Sequence, residues 1–272
     1  MKRKNNAFTL AEVLITLGIL GVIATMTLPT LNADVRGKQL AGALRTTQAT
    51  ISDKIQAGMA IEDVNNVRDL KAFAATDLAE LYKGLSKYLR LDKVKENHTI
   101  YPITGGTAEA TWDAADIKQL HTKAYIYISD FTDSAPADGV SGIKAQHGNL
   151  LRKNAEVYLD VNGPTKPNRL GYDVFKYYLA QDGRLYPVGG RDVSLFLSGN
   201  PSSNDWTATG DTSCSRESGN GYGCAGRVEA EGWNMKYLST NIKAKVSTSP
   251  EGEGGEEGNN GDAGNTPEEQ PK

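Results

Sequence analysis

Very little in this 272-residue sequence is arranged for catalysis. Its three histidines, His98, His121 and His147, stand far apart without metal-ligand spacing. No Gly-x-Ser-x-Gly elbow, Walker loop, dinucleotide fingerprint or Cys-x-x-Cys pair occurs, so the patterns that make nucleophilic, phosphoryl or hydride chemistry legible are missing. The chain is therefore expected not to be an enzyme. Cysteine is scarce too: Cys214 and Cys224 lie ten positions apart in a stretch rich in Ser, Gly and Asn. An even count in a loop-like segment fits one disulfide made outside the cytoplasm, the alternative being two free thiols.

Strong charge is also lacking. The formal net charge is −3, and it sits at the ends. Residues 247–272 hold seven acids against Lys272, while Lys2, Arg3 and Lys4 crowd the start, which leaves everything between them neutral. A neutral body argues against a dedicated nucleic-acid groove, which clusters Lys and Arg to neutralise phosphates. Large apolar residues are missing altogether after Val246, where Gly, Glu, Asn and Pro dominate. Residues 247–272 cannot bury a core and are expected to form a disordered, solvated tail.

What the chain has in abundance is apolar surface near its start. Residues 8–31 read FTLAEVLITLGILGVIATMTLPTL, interrupted by one charge, Glu12. As a helix this run reaches on the order of 30 Å, enough to cross the hydrocarbon core of a membrane. The basic cluster before it, with none comparable after it, places the N-terminus in the cytoplasm and the remainder outside. A cleaved secretory signal has a similar outline. Against that alternative, a carboxylate costs roughly 2.5 to 3.5 kcal/mol at the centre of a membrane helix, and a disposable signal has no use for it. The downstream positions also lack a small-x-small cleavage site, because Leu31 lies two before Ala33.

The junction Ala7-Phe8-Thr9-Leu10-Ala11-Glu12 resembles the class III leader of type IV prepilins and type II secretion pseudopilins, with Ala7 where that family usually has glycine. The resemblance covers about the first 30 residues. It implies cleavage between Ala7 and Phe8 by a prepilin peptidase and N-methylation of the new Phe8 amine. It implies partners as well: other pilin or pseudopilin subunits, an inner-membrane assembly platform and its ATPase. Pro29 falls where helices of that family commonly carry a kinking proline. A carboxylate inside a dry bundle of such helices needs a cation, and the free amine of a neighbouring subunit supplies one to Glu12. The bland alternative has Glu12 at the membrane surface, reaching water.

Downstream, Leu40, Leu44, Thr47, Ile51 and Ile55 recur at three and four positions, one apolar stripe on a helix running to about Ala57. Residues 66–91 carry further helical spacing, with Leu70, Phe73, Leu78, Leu81, Leu85, Tyr88 and Leu89 as core candidates. Strand patterns follow at residues 125–128, 157–161 and 173–179. The last is followed by the turn Gln181-Asp182-Gly183 and a strand over 185–188. The expected fold is α+β: a leader (1–7), a membrane or filament-core helix (8–31), and an amphipathic continuation with an antiparallel head (32–246), then the tail (247–272).

Two stretches of the head resemble recurring parts of bacterial pilin-like proteins. Asp160-Val161-Asn162-Gly163, Pro167-Asn168, Gly171 and Asp173-Val174-Phe175 form one, loosely like the calcium-binding region of major pseudopilins. The resemblance offers Asp160, Asn162 and Asp173 as calcium ligands, against their reading as ordinary turn formers. The other spans Cys214 to Tyr237, similar to a C-terminal disulfide loop that can face outward in such proteins. Expectation thus settles on a filament subunit: a pilus, a secretion pseudopilus or a DNA-uptake filament. The alternative is a membrane-anchored binding protein that does not polymerise.

Overall fold

The computed structural model describes residues 9–129, 131, 142–144, 150–189, 214–216 and 219–239. The leader over 1–7 and the tail expected over 247–272 lie outside these residues. One helix dominates the rest. α1 (Leu10–Glu62) starts at Thr9, whose extended backbone (φ −77°, ψ 149°) and hydroxyl cap the first turn, and runs on through Pro29. It stops at Asp63, which turns left-handed (φ 54°) and points its N–H back to the Ala60 carbonyl. The stripe read from the sequence is the buried one: Leu40, Leu44, Thr47, Ile51 and Ile55 are all covered. Met59 extends it by a turn, so the helix ends at Glu62 instead of near Ala57.

Residues 66–91, read as carrying helical spacing, are only partly helical. They form two short 3-10 turns, Val67–Asp69 and Lys71–Ala74, and then a two-turn helix, α2 (Leu78–Leu85). Local acceptors explain the breaks. Asn66 Oδ1 takes the Arg68 N–H, the Glu62 carboxylate takes that of Lys71, and Asp77 Oδ1 takes that of Glu80, each at 3.0 Å or less. Donors held this way are lost to an i→i−4 ladder. Six of the seven core candidates hold: Leu70, Leu81, Leu85 and Leu89 are buried and Phe73 and Leu78 pack against them, while Tyr88 is half-buried outside that cluster, its hydroxyl on Glu62.

The head is an antiparallel sheet laid against the second half of α1. Its main path joins β1 (Leu91–Lys93), β4 (Ile117–Leu120), β5 (Tyr125–Ser129), β7 (Leu150–Asp160), β8 (Val174–Ala180) and β9 (Leu185–Pro187). β6 (Gly142–Lys144) pairs with the start of β7. A separate hairpin, β2 (His98–Ile100) with β3 (Ala110–Trp112), covers the opposite face. Strand alternation assigns the faces. Ala155, Val157, Leu159, Phe175, Tyr177 and Leu179 share a core with α1, and Glu156, Tyr158, Lys176 and Tyr178 lie on the other side, half-buried. Two short helices, α3 (Cys224–Ala230) and α4 (Lys236–Ser239), close the fold, α3 against β8 and α4 against α1.

Polar side chains of α1 finish the sheet at β9. Gln48 donates to the Leu185 carbonyl at 3.0 Å, and the Leu185 N–H donates to Ser52 Oγ at 3.1 Å. At the other side of the sheet, Tyr82 of α2 does the same for β5. Its hydroxyl donates to the Asp116 carbonyl at 2.9 Å and accepts from the Ile128 N–H at 3.1 Å, just past the end of the β4–β5 pairing. Tyr82→Phe is expected to lower unfolding free energy by about 1 to 3 kcal/mol, because it strands a buried donor. Urea denaturation of both chains checks this, and equal midpoints would contradict it.

Candidate functional site

The two halves of α1 present unlike surfaces. Between Leu10 and Ile23, nine large apolar side chains are at least 45% exposed, and they point to every side of the helix. A helix apolar all round has no face suited to water and needs cover from outside the chain. Described side chains of this run stop at Thr25, apart from Thr27, and resume at Val35. Among the described residues, no helix is long and apolar enough to cross a membrane.

Glu12, the run's one charge, closes the helix start. Its Oε2 accepts from both the N–H and the hydroxyl of Thr9 at 2.8 Å, and its own N–H donates to Thr9 Oγ1 at 3.3 Å. This is a reciprocal capping box. Sequence reasoning gave Glu12 an electrostatic role and missed Thr9, although Thr-x-x-Glu ahead of an apolar run is the signature of that cap. Ala7 and Phe8, the expected cleavage and methylation positions, lie outside the described residues.

The second cluster sits where β7 and β8 meet the loop between them. Asp160 and Asp173 are fully buried, and His98 is 4% exposed. His98 Nε2 and Asp160 Oδ2 are 2.6 Å apart, and Asp160 Oδ1 accepts from the Asn162 N–H at 3.1 Å. Asp173 accepts from the N–H groups of Asn168 (3.0 Å) and Arg169 (2.6 Å), and the nearby Asn162 side chain favours its charged form. The structure thus brings Asp160, Asn162 and Asp173 into one network, joined by His98, which the sequence did not single out for this role. Three of the four carboxylate oxygens accept backbone N–H groups and the fourth faces His98 Nε2, so a calcium ion here has to displace some of these partners. Among the described residues, no group of three or more His, Cys, Asp or Glu is placed to hold a metal. Burial raises both carboxyls, and the Asp160 charge helps push Asp173 up to about 7.

The cysteines are joined, Cys214 to Cys224, and both are buried. The resemblance allows such a loop to face outward, but its three glycines are turned inward here. Gly219, Gly221 and Gly223 are buried, and the Asn220 carbonyl accepts from the Ile103 N–H at 3.0 Å, so the loop is turned into the head. Gly171 explains the close fit: at φ +73° it has Cys224 Sγ 2.3 Å from where a Cβ would stand. Its carbonyl accepts from the Tyr237 hydroxyl. Trp233 packs half-buried against the core, with the Arg45 guanidinium over its ring.

The buried carboxyls have a consequence for pH. A folded-state pKa above the unfolded value means that the native state holds the proton more tightly between the ordinary aspartate range and about 7. Stability is therefore expected to fall as pH rises through that window. In Asp173→Asn the decline becomes shallower, read from urea midpoints across a pH series; an unchanged slope would show that Asp173 does not titrate there.

Residues 2–28 match the family model of the prokaryotic N-terminal methylation motif. No curated protein and no solved structure matches the chain. The protein carries the class III leader of type IV pilin-like proteins, the signal that a prepilin peptidase processes.

Proposed function

We propose that this chain is a structural subunit of a type IV pilus-like or type II secretion pseudopilus filament, assembled through its N-terminal helix. The observation that carries this reading is α1: apolar on all sides in its first half and packed along one stripe under the head in its second. In this reading residues 8–31 first lie across the cytoplasmic membrane, N-terminus inside and head outside. Later they pack against the same segment of other subunits, driven by the inner-membrane platform and its ATPase.

Cleavage leaves Phe8 as the first residue, and the Glu12 carboxylate pairs with the methylated amine of a neighbouring subunit. In the single chain the carboxylate is held by its own Thr9, and the pairing draws it from that cap to the neighbouring amine. A buried charge without its partner is strongly unfavourable, so only the register that forms the pair is tolerated in the filament.

Intact-mass spectrometry of the full chain made with a prepilin peptidase is expected to find a start at N-methylated Phe8. In a filament-forming host, Glu12→Gln is expected to abolish filaments while membrane-fraction levels stay unchanged. A Met1 start or cleavage beyond Leu31 sinks the pathway. Processed wild-type chain that never polymerises points to the alternative, a membrane-anchored binding protein.

Calcium at Asp160, Asn162 and Asp173 is a separate proposal, supported by a surplus acceptor: Asn162 Oδ1 is buried without a partner. Calcium is then expected to raise the unfolding temperature of the wild-type chain by a few degrees and not that of Asp160→Asn. A wild-type midpoint indifferent to calcium leaves turn chemistry as the whole account.

A further inference from the structure

A basic groove on the head borders the buried carboxylate network and shares His98 and Asn168 with it. It encloses about 590 Å³ between residues 93–99 and the loop 164–168. Lys93, Lys95 and Lys166 line it with a single acid, Glu96, and its polar wall includes His98 and Asn168. All three lysines are exposed, and among the described residues none of them makes an ion pair. Lysine is a point charge with several donors, suited to phosphate oxygens. Asn168 Oδ1, buried without a partner, adds an acceptor that a hydroxyl can fill.

The groove's place on the molecule narrows its ligand. The Lys166 carbonyl accepts from Arg36 Nη2 at 3.1 Å, which ties the loop to α1 just past the apolar run. Arg36 follows residue 31 by five positions, roughly 7.5 Å along the helix. That distance is within the Debye length of about 8 Å at physiological ionic strength, so charges at the membrane surface are felt there.

We propose that this groove binds the headgroup of an anionic phospholipid from the bilayer that holds the anchor, with its phosphate on Lys93, Lys95 and Lys166 and a headgroup hydroxyl on Asn168 Oδ1. The inference rests on the membrane reading of residues 8–31 given above. The bound headgroup steadies the head against the bilayer and leaves when the subunit is drawn into a filament.

The test uses the full chain in nanodiscs of phosphatidylcholine and in discs that also contain phosphatidylglycerol. Entry into discs is followed by co-elution, and lysine acetylation is read by peptide mass spectrometry. In the anionic discs Lys93, Lys95 and Lys166 are expected to react roughly fivefold more slowly, the effect of a surface potential on one bound lysine. Lys54, roughly 27 Å farther along α1 than Arg36, is expected to react equally in both. In Lys95→Gln/Lys166→Gln, the protection of Lys93 is expected to disappear. Equal labelling of the three lysines in the two discs overturns the headgroup site while leaving the anchor standing. Failure to enter either disc overturns the anchor and the site with it. Equal protection in phosphatidylcholine discs by inorganic phosphate or by a single-stranded oligonucleotide also overturns the lipid assignment, in favour of a soluble anion or nucleic acid.

Discussion

The structure depends on a single helix whose two halves present unlike surfaces. The stripe from Leu40 to Met59 forms the floor of the head's core, meeting Val157, Leu159, Phe175, Tyr177 and Leu179 from the sheet. Removing that stripe would leave the sheet one apolar face without cover, since the β2–β3 hairpin already occupies the other. The same helix continues away from the head with apolar side chains on all sides. Backbone continuity thus couples whatever covers the first half to the orientation of the head.

Much of this was legible because periodicity is a direct record of burial. Leu40, Leu44, Thr47, Ile51 and Ile55 were read correctly from spacing alone, and so were the strands around Tyr125, Val157, Val174 and Leu185. Residues 66–91 show the limit. Their leucines point into the core as expected, but Asn66, Glu62 and Asp77 capture backbone donors and break the helix. Spacing reports which side chains are covered, whereas the element depends on which donors are taken. The strands β1 to β4 escaped notice because three or four residues are too few to show alternation.

The site chemistry divides in the same way. Glu12 stood out as a lone charge, and its Thr9 partner was present in the sequence as Thr-x-x-Glu. Asp160, Asn162 and Asp173 also stood out, but His98 comes from a hairpin 62 residues before Asp160, and no local pattern announces a pairing at that separation. The disulfide followed from counting cysteines. The inward turn of its loop did not, because it depends on Gly171 leaving room beneath Cys224, a contact made only in the folded chain.

The finish at β9 bears on how such a molecule avoids unwanted company. An edge strand with free N–H and C=O groups is a template for another strand and for aggregation. On β9 the outward groups of Leu185 are taken by Gln48 and Ser52 of α1, and Pro187 has no N–H to offer. The helix acts there as a sham neighbouring strand. Sheet-to-sheet extension is closed along that border, while the large exposed apolar surface lies away from it, on the first half of α1.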